Sequence, residues 1–184
     1  MKLQFKEQDF QLQAVDSVVK CFEGQTLKTN RFTLEKTNEI LRKAREQAKG
    51  IATIEFDVEE HIGYRNSAIQ ITDSQVFENI VGVQREHYLI ENQKIDTVKG
   101  ANIGYNFTIE METGTGKTYT YIRTMYELNK KYGWSKFIII VPSIAIREGV
   151  FKTFELTKDH FQEIYGHKIS PFIYNSSRPQ DIET

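Results

Sequence analysis

After residue 106 the sequence changes pattern three times at short intervals, and that alternation limits the folds open to the chain more than any other feature. "FTIEM" (107–111) alternates like a half-covered strand, and "TGTGK" (113–117) is a turn. "TYTYIRTMYELNKKYG" (118–133) has helical spacing and ends on Gly133, a helix-stopping residue. "KFIIIV" (136–141) is apolar on both sides, as in a parallel strand buried under helices. Pro142 and Ser143 open a further helix whose expected inner face is Ile146, Val150 and Phe154, and "SPFIYN" (170–175) reads as a third strand. Strand–helix–strand–helix–strand with short links predicts a doubly wound α/β sheet with helices on both faces. A ligand of such a sheet lies at the carboxyl ends of the strands, where "TGTGK" falls.

The stretch "METGTGKT" (111–118) has the residues of a phosphate cradle. The strict phosphate-loop pattern is G-x-x-x-x-G-K-[ST]. Gly116, Lys117 and Thr118 match it, Met111 stands at the first glycine position, and Gly114 adds a second flexible point. Glycines let successive backbone N–H groups face one anion at the start of the following helix. In that reading Thr113, Gly114, Thr115 and Gly116 wrap the phosphates of ATP. Lys117 reaches the terminal phosphates, and the Thr118 hydroxyl holds Mg2+. The alternative is a glycine-rich strand–helix turn with an exposed lysine.

Upstream, Phe10, Ala14, Val18 and Phe22 recur every four residues, with Val15 and Val19 beside them. This predicts a helix over 8–23 with Gly24 as its stop. Thr33 to Lys49 is a second, more polar helix candidate whose Glu39/Lys43 and Arg42/Glu46 pairs make a solvated face. Residues 51–105 contain "TIEFDV" and "AIQIT", which alternate like strands, and four glycines that divide the segment. The segment therefore reads as a β-rich insertion without assigned chemistry.

Composition narrows the function classes. Lys plus Arg number 24 against 25 Asp plus Glu, so any polyanion contact comes from a local patch and not from bulk charge. Cys21 is the only cysteine, which leaves no internal disulfide, and it falls on an apolar helical stripe as a bland buried thiol. His61, His87, His160 and His167 have no paired metal-ligand spacing and read as surface or packing residues. The first residues lack the blocks of a signal peptide, and the longest apolar run is strand-sized. No membrane association and a cytoplasmic location are expected.

One branch of phosphate-loop proteins, the superfamily 2 helicases and translocases, regularly lacks the first glycine. Two more segments resemble that branch. "IIIVPSIAIREGV" (138–150) is similar to its motif Ia, and "FQLQA" (10–14) resembles its adenine-reading motif with Gln11 as reader. A glutamine amide can both donate to and accept from adenine in a way guanine cannot satisfy. "METGTGKT", the Tyr-rich helix with "ELNKKYG", "KFIIIVPSIAIREGV" and "HFQEIYG" together resemble the restriction (Res) subunit of bacterial type III restriction–modification systems. The likeness covers residues 8–24 and 106–175.

That resemblance implies an incomplete first helicase lobe of RecA-like, three-layer form over 1–184. It comprises an adenine-reading helix (8–24), the insertion (51–105) and a phosphate-loop α/β core (106–184). It implies an ATP- and Mg2+-dependent motor on double-stranded DNA, partnered by a methyltransferase (Mod) subunit. Lys117 and Thr118 would serve catalysis, and Pro142, Ser143 and Arg147 would lie along one DNA strand. Such motors also need a D-E-x-H-like motif, and their nuclease an acidic-x-Lys signature. The chain contains no Asp-Glu dipeptide and no Asp or Glu two residues before a Lys. It is therefore expected to be the beginning of a larger enzyme and inactive alone. A phosphate-loop kinase acting on a small molecule, and a free-standing truncated nucleotide-binding protein, are the competing readings.

Overall fold

A computed structural model describes residues 5–28, 66–96 and 104–174. Four helices are present among them: α1 (Asp9–Lys20), α2 (Asp73–Glu86), α3 (Lys117–Tyr132) and α4 (Ile144–Tyr165). α3 is the centre, with α1 packed on one flank and α4 on another, and α2 lies against α1. Eight of its residues are buried: Tyr119, Thr120, Ile122, Arg123, Thr124, Tyr126, Leu128 and Tyr132. Leu128 and Tyr132 join Val15 and Val19 of α1 and Trp134 in one apolar cluster. Tyr119, Ile122 and Tyr126 join Phe154 and Phe161 of α4 in another.

The helix boundaries follow the sequence chemistry. Gly133 and Gly166 end α3 and α4 in the left-handed conformation, at φ 79° in both cases. Ser143 caps α4 by accepting from the Ile146 N–H at 3.3 Å. Of the face expected for α4, Phe154 is buried and Val150 half-buried, while Ile146 is 48% exposed. Only part of the apolar face expected for α1 enters the core. Val15 and Val19 take the core, and Phe10 is 47% exposed.

The parallel sheet expected from 107–111, 136–141 and 170–174 is not observed; the described residues contain four helices and no strand. The three-layer RecA-like α/β reading is corrected accordingly. Residues 136–141 belong to no strand or helix, and Ile138 and Ile140 are 90% and 91% exposed. An apolar pattern states what a pleated surface would accept, whereas a ladder also needs a partner backbone. The polar groups at the start of this stretch meet a side chain instead. Asn66 Oδ1 accepts from the N–H groups of Ser135 and Lys136 at 2.9 Å each, and Asn66 Nδ2 donates to Lys136 O at 2.7 Å.

Within residues 66–96, the β-rich reading of 51–105 is corrected as well. "AIQIT" is not a strand, and the next fourteen residues are α2. Thr72 caps α2 by accepting from the Gln75 N–H at 3.2 Å, and Val76 and Ile80 bury its inner face. "TIEFDV" and the helix candidate at Thr33–Lys49 lie outside the described residues.

Candidate phosphate-binding site

The segment before α3 forms a tight turn. Gly114 and Gly116 adopt φ 84° and 87°, and Gly116 is the residue from which α3 starts. Between them the Thr115 hydroxyl donates to Glu112 O at 2.7 Å, and the Thr115 N–H does so at 3.4 Å. Thr120 closes the first helical turn by donating its hydroxyl to Gly116 O at 3.2 Å. Left-handed glycines at alternating positions turn backbone N–H groups toward one side, the geometry of an anion nest. Thr113 and Gly114 are exposed, and Thr118 is half-buried on the first turn of α3.

Lys117 folds back over this turn. Its ammonium donates to Met111 O at 2.5 Å and Glu112 O at 2.9 Å. The cation thus sits against two backbone carbonyls, weak partners that a phosphate would outcompete.

Gln11 is brought to the loop from more than a hundred residues away. Its amide nitrogen donates to Thr115 O at 2.8 Å. A side chain on Gly116 would run into that same amide, so glycine there permits the approach of α1 as well as the positive φ. The placement of α1 is itself over-determined. Tyr132 donates its hydroxyl to Val19 O at 2.8 Å, and Glu7 pairs with Arg123 at 2.6 Å. Burial of the Arg123 guanidinium is the largest single effect and works against its charge, but the bond to Glu7 together with Tyr165 and Tyr119 outweighs it, and the affinity for its proton rises. Nothing in the local pattern of Glu7 and Arg123 announced this pair; an arginine on the apolar face of a helix was the available signal.

Beside the loop, α1, α2 and residues 106–115 enclose a groove of about 780 Å³ with Phe10, Val18, Ile80, Phe107, Met111 and Thr115 among its walls. Of the α1 stripe expected to enter the core, Phe10, Ala14 and Val18 line this groove, whereas Phe22 packs against Trp134. Cys21, also on its wall, is buried as read from sequence; its thiol donates to Ser17 O at 3.2 Å, and burial pushes it up to about 11.

Pro142, Ser143 and Arg147 lie at the exposed start of α4, with Ser143 engaged as its cap. Arg147 donates to the adjacent Glu148 carboxylate at 2.8 and 3.1 Å. Their contacts include none with the loop or with Gln11. His160 bonds the Tyr119 hydroxyl at 2.9 Å, and His87 bonds Ser17 at the same distance. His61 lies outside the described residues. Among the described residues no group of three or more His, Cys, Asp or Glu comes together, and no helix is long and apolar enough to cross a membrane.

A family model described as the type III restriction enzyme, res subunit, matches residues 4–180. The chain belongs to this family. It is 38% identical over 115 residues to the Res subunit of the type III restriction-modification enzyme EcoPI of Escherichia phage P1. It is 36% identical over 115 residues to the EcoP15I Res subunit of Escherichia coli. Both matches cover 61% of this chain and 11% of the relative. A third relative, the StyLTI Res subunit of Salmonella typhimurium, is 52% identical over 62 residues, 33% of this chain and 6% of that protein. The matched stretch is thus about a tenth of the length of these Res subunits or less.

Proposed function

We propose that residues 1–184 belong to the ATP-binding lobe of the DNA translocase subunit of a type III restriction endonuclease, and that the loop at 111–118 receives the phosphates of ATP. The observation that carries this reading is the Gln11–Thr115 bond together with the close approach of Gln11 to Gly116. The adenine-reading motif, weak alone, meets the phosphate-loop turn 104 residues further on. A solvated surface glutamine and an unrelated glycine turn would have no reason to do so.

The residues suit the group. The amides of Thr113, Gly114, Thr115 and Gly116, with the N-terminus of α3 behind them, favour an anion. Lys117 leaves the carbonyls of Met111 and Glu112 to meet the terminal phosphates. Thr118 offers its hydroxyl oxygen to Mg2+, which offsets phosphate charge when bound. Gln11 keeps its amide oxygen for the adenine amino group while its nitrogen holds the loop.

The relatives are Res subunits of restriction-modification enzymes, which supports double-stranded DNA and a methyltransferase (Mod) subunit as partners. Pro142, Ser143 and Arg147 are assigned to one DNA strand, with Arg147 exchanging Glu148 for a backbone phosphate.

The test is titration of a fluorescent ATP analogue into the chain and its Lys117→Ala variant. Loss of a charge-assisted hydrogen bond is worth roughly 10- to 150-fold in affinity. Equal affinities would contradict the phosphate-cradle reading.

A further inference from the structure

The two bonds that place α1 against α3 act at opposite ends of it. Tyr132 grips Val19 in the C-terminal half, and Val15 and Val19 of that half enter the core. None of residues 9–14 is buried, and Gln11 is among them. The half that reaches the loop is held from just ahead of it. Arg123, on the second turn of α3, is only 8% exposed and pairs with Glu7, four residues before Gln11. Its Nη1 also donates to the Tyr119 hydroxyl at 3.2 Å, and the Tyr165 phenol lies beside it. Phe5 rests on the same platform, stacked on Tyr119 at 6.0 Å and 4.9 Å from His160.

An apolar side chain would fill the place of Arg123 about as stably, because desolvating a buried ion pair offsets most of its attraction. What such a pair supplies best is register. A guanidinium held in place by α3 gives the Glu7 carboxylate one position to occupy, and that position sets where α1 begins. Resting on the proposed role of Gln11, we infer that Arg123 is a positioning residue that sets nucleotide specificity: by holding Glu7 it fixes the end of α1 from which Gln11 reaches the base. Arg123 acts through Glu7 and not by contact with the nucleotide. It stands six residues past Lys117 on α3, roughly 9 Å along the axis.

The experiment measures competition by ATP and by GTP against a labelled nucleotide, together with the thermal midpoint. It compares the wild-type chain with Arg123→Met, Glu7→Ala, Tyr132→Phe, Gln11→Ala and Arg123→Met combined with Gln11→Ala. Arg123→Met removes the pair without leaving a buried charge, so the midpoint is expected to hold or rise. Its preference for ATP over GTP is expected to fall about 2- to 10-fold, and no further than in Gln11→Ala. Combined with Gln11→Ala it should add nothing, since the two residues act as a unit. Tyr132→Phe loses the tie at Val19 and should lower the midpoint while leaving the preference whole. Should Arg123→Met not fold, Glu7→Ala reads the same preference from the exposed partner of the pair. A wild-type preference in Arg123→Met and Glu7→Ala, or a further loss on top of Gln11→Ala, would overturn the assignment. So would an equal loss of affinity for ATP and GTP, or the same loss of preference in Tyr132→Phe, each the mark of plain packing. If Gln11→Ala loses the preference and the Arg123 and Glu7 variants keep it, the reading of Gln11 survives and only the role of Arg123 falls. If the wild type shows no preference, both fall.

Discussion

α3 and the stretch that follows it, 136–141, are separated by three residues and differ completely in how they hold their apolar side chains. α3 is the more polar of the two by composition, yet it buries eight residues, including an arginine and two threonines. The stretch "FIIIV" is five apolar residues in a row, and two of its isoleucines are at least 90% exposed. A helix satisfies its backbone internally, so it needs only a face to pack, and α1 and α4 supply two. A segment outside any helix has no such internal ladder. Its apolar character becomes burial only where a second backbone pairs with it.

The sharpest way to break this comparison is to remove methyl groups from both regions. Ile122 is fully buried between α3 and α4, so Ile122→Ala should cost about 2–5 kcal/mol of stability, read by urea denaturation. Ile138 is 90% exposed, and Ile138→Ala should stay within about 0.5 kcal/mol. Comparable losses at the two positions would mean that 136–141 is packed in solution and that the contrast is false.

A smaller effect separates two glycines. Gly116→Ala places a side chain at φ 87° and against the Gln11 amide, and should cost about 1–2 kcal/mol from the left-handed backbone alone. Adding Gln11→Ala should return part of the loss by removing the collision while leaving the backbone strain. Gly82, inside α2, has open space where its side chain would project. Gly82→Ala should therefore stabilise the chain by about 0.5–1 kcal/mol. If Gly116→Ala were as benign as Gly82→Ala, the approach of α1 to the loop would not be tight.

What the sequence made legible was local. The N-cap Ser143, the C-terminal glycines 133 and 166, and the four-residue spacing of α1 each specify a helix end or face through groups a few residues apart. α2 carries an equally local signal: Thr72-x-x-Gln75 is a capping pattern, followed by Val76 and Ile80 at helical spacing. The short alternation of "AIQIT" just before it has the period of a strand. The sheet failed for a different reason, because strand pairing is a long-range property that no single stretch contains. At the loop, the residue types and order were readable, and family resemblance named Gln11 as a reader of adenine but not its meeting with Thr115. The folded-back Lys117 and the Glu7–Arg123 pair were not legible, since each depends on which groups the folded chain brings together.

The account stands or falls on whether Gln11, held at the loop, reads the base of the nucleotide whose phosphates the loop binds. The direct measurement is competition by ATP and by GTP against a labelled nucleotide, with the wild-type chain and with Gln11→Ala. The account predicts that wild type prefers ATP and that Gln11→Ala loses about 2- to 10-fold of that preference, the worth of one neutral hydrogen bond. A wild-type chain that binds ATP and GTP equally, or a variant that keeps the whole preference, would contradict it.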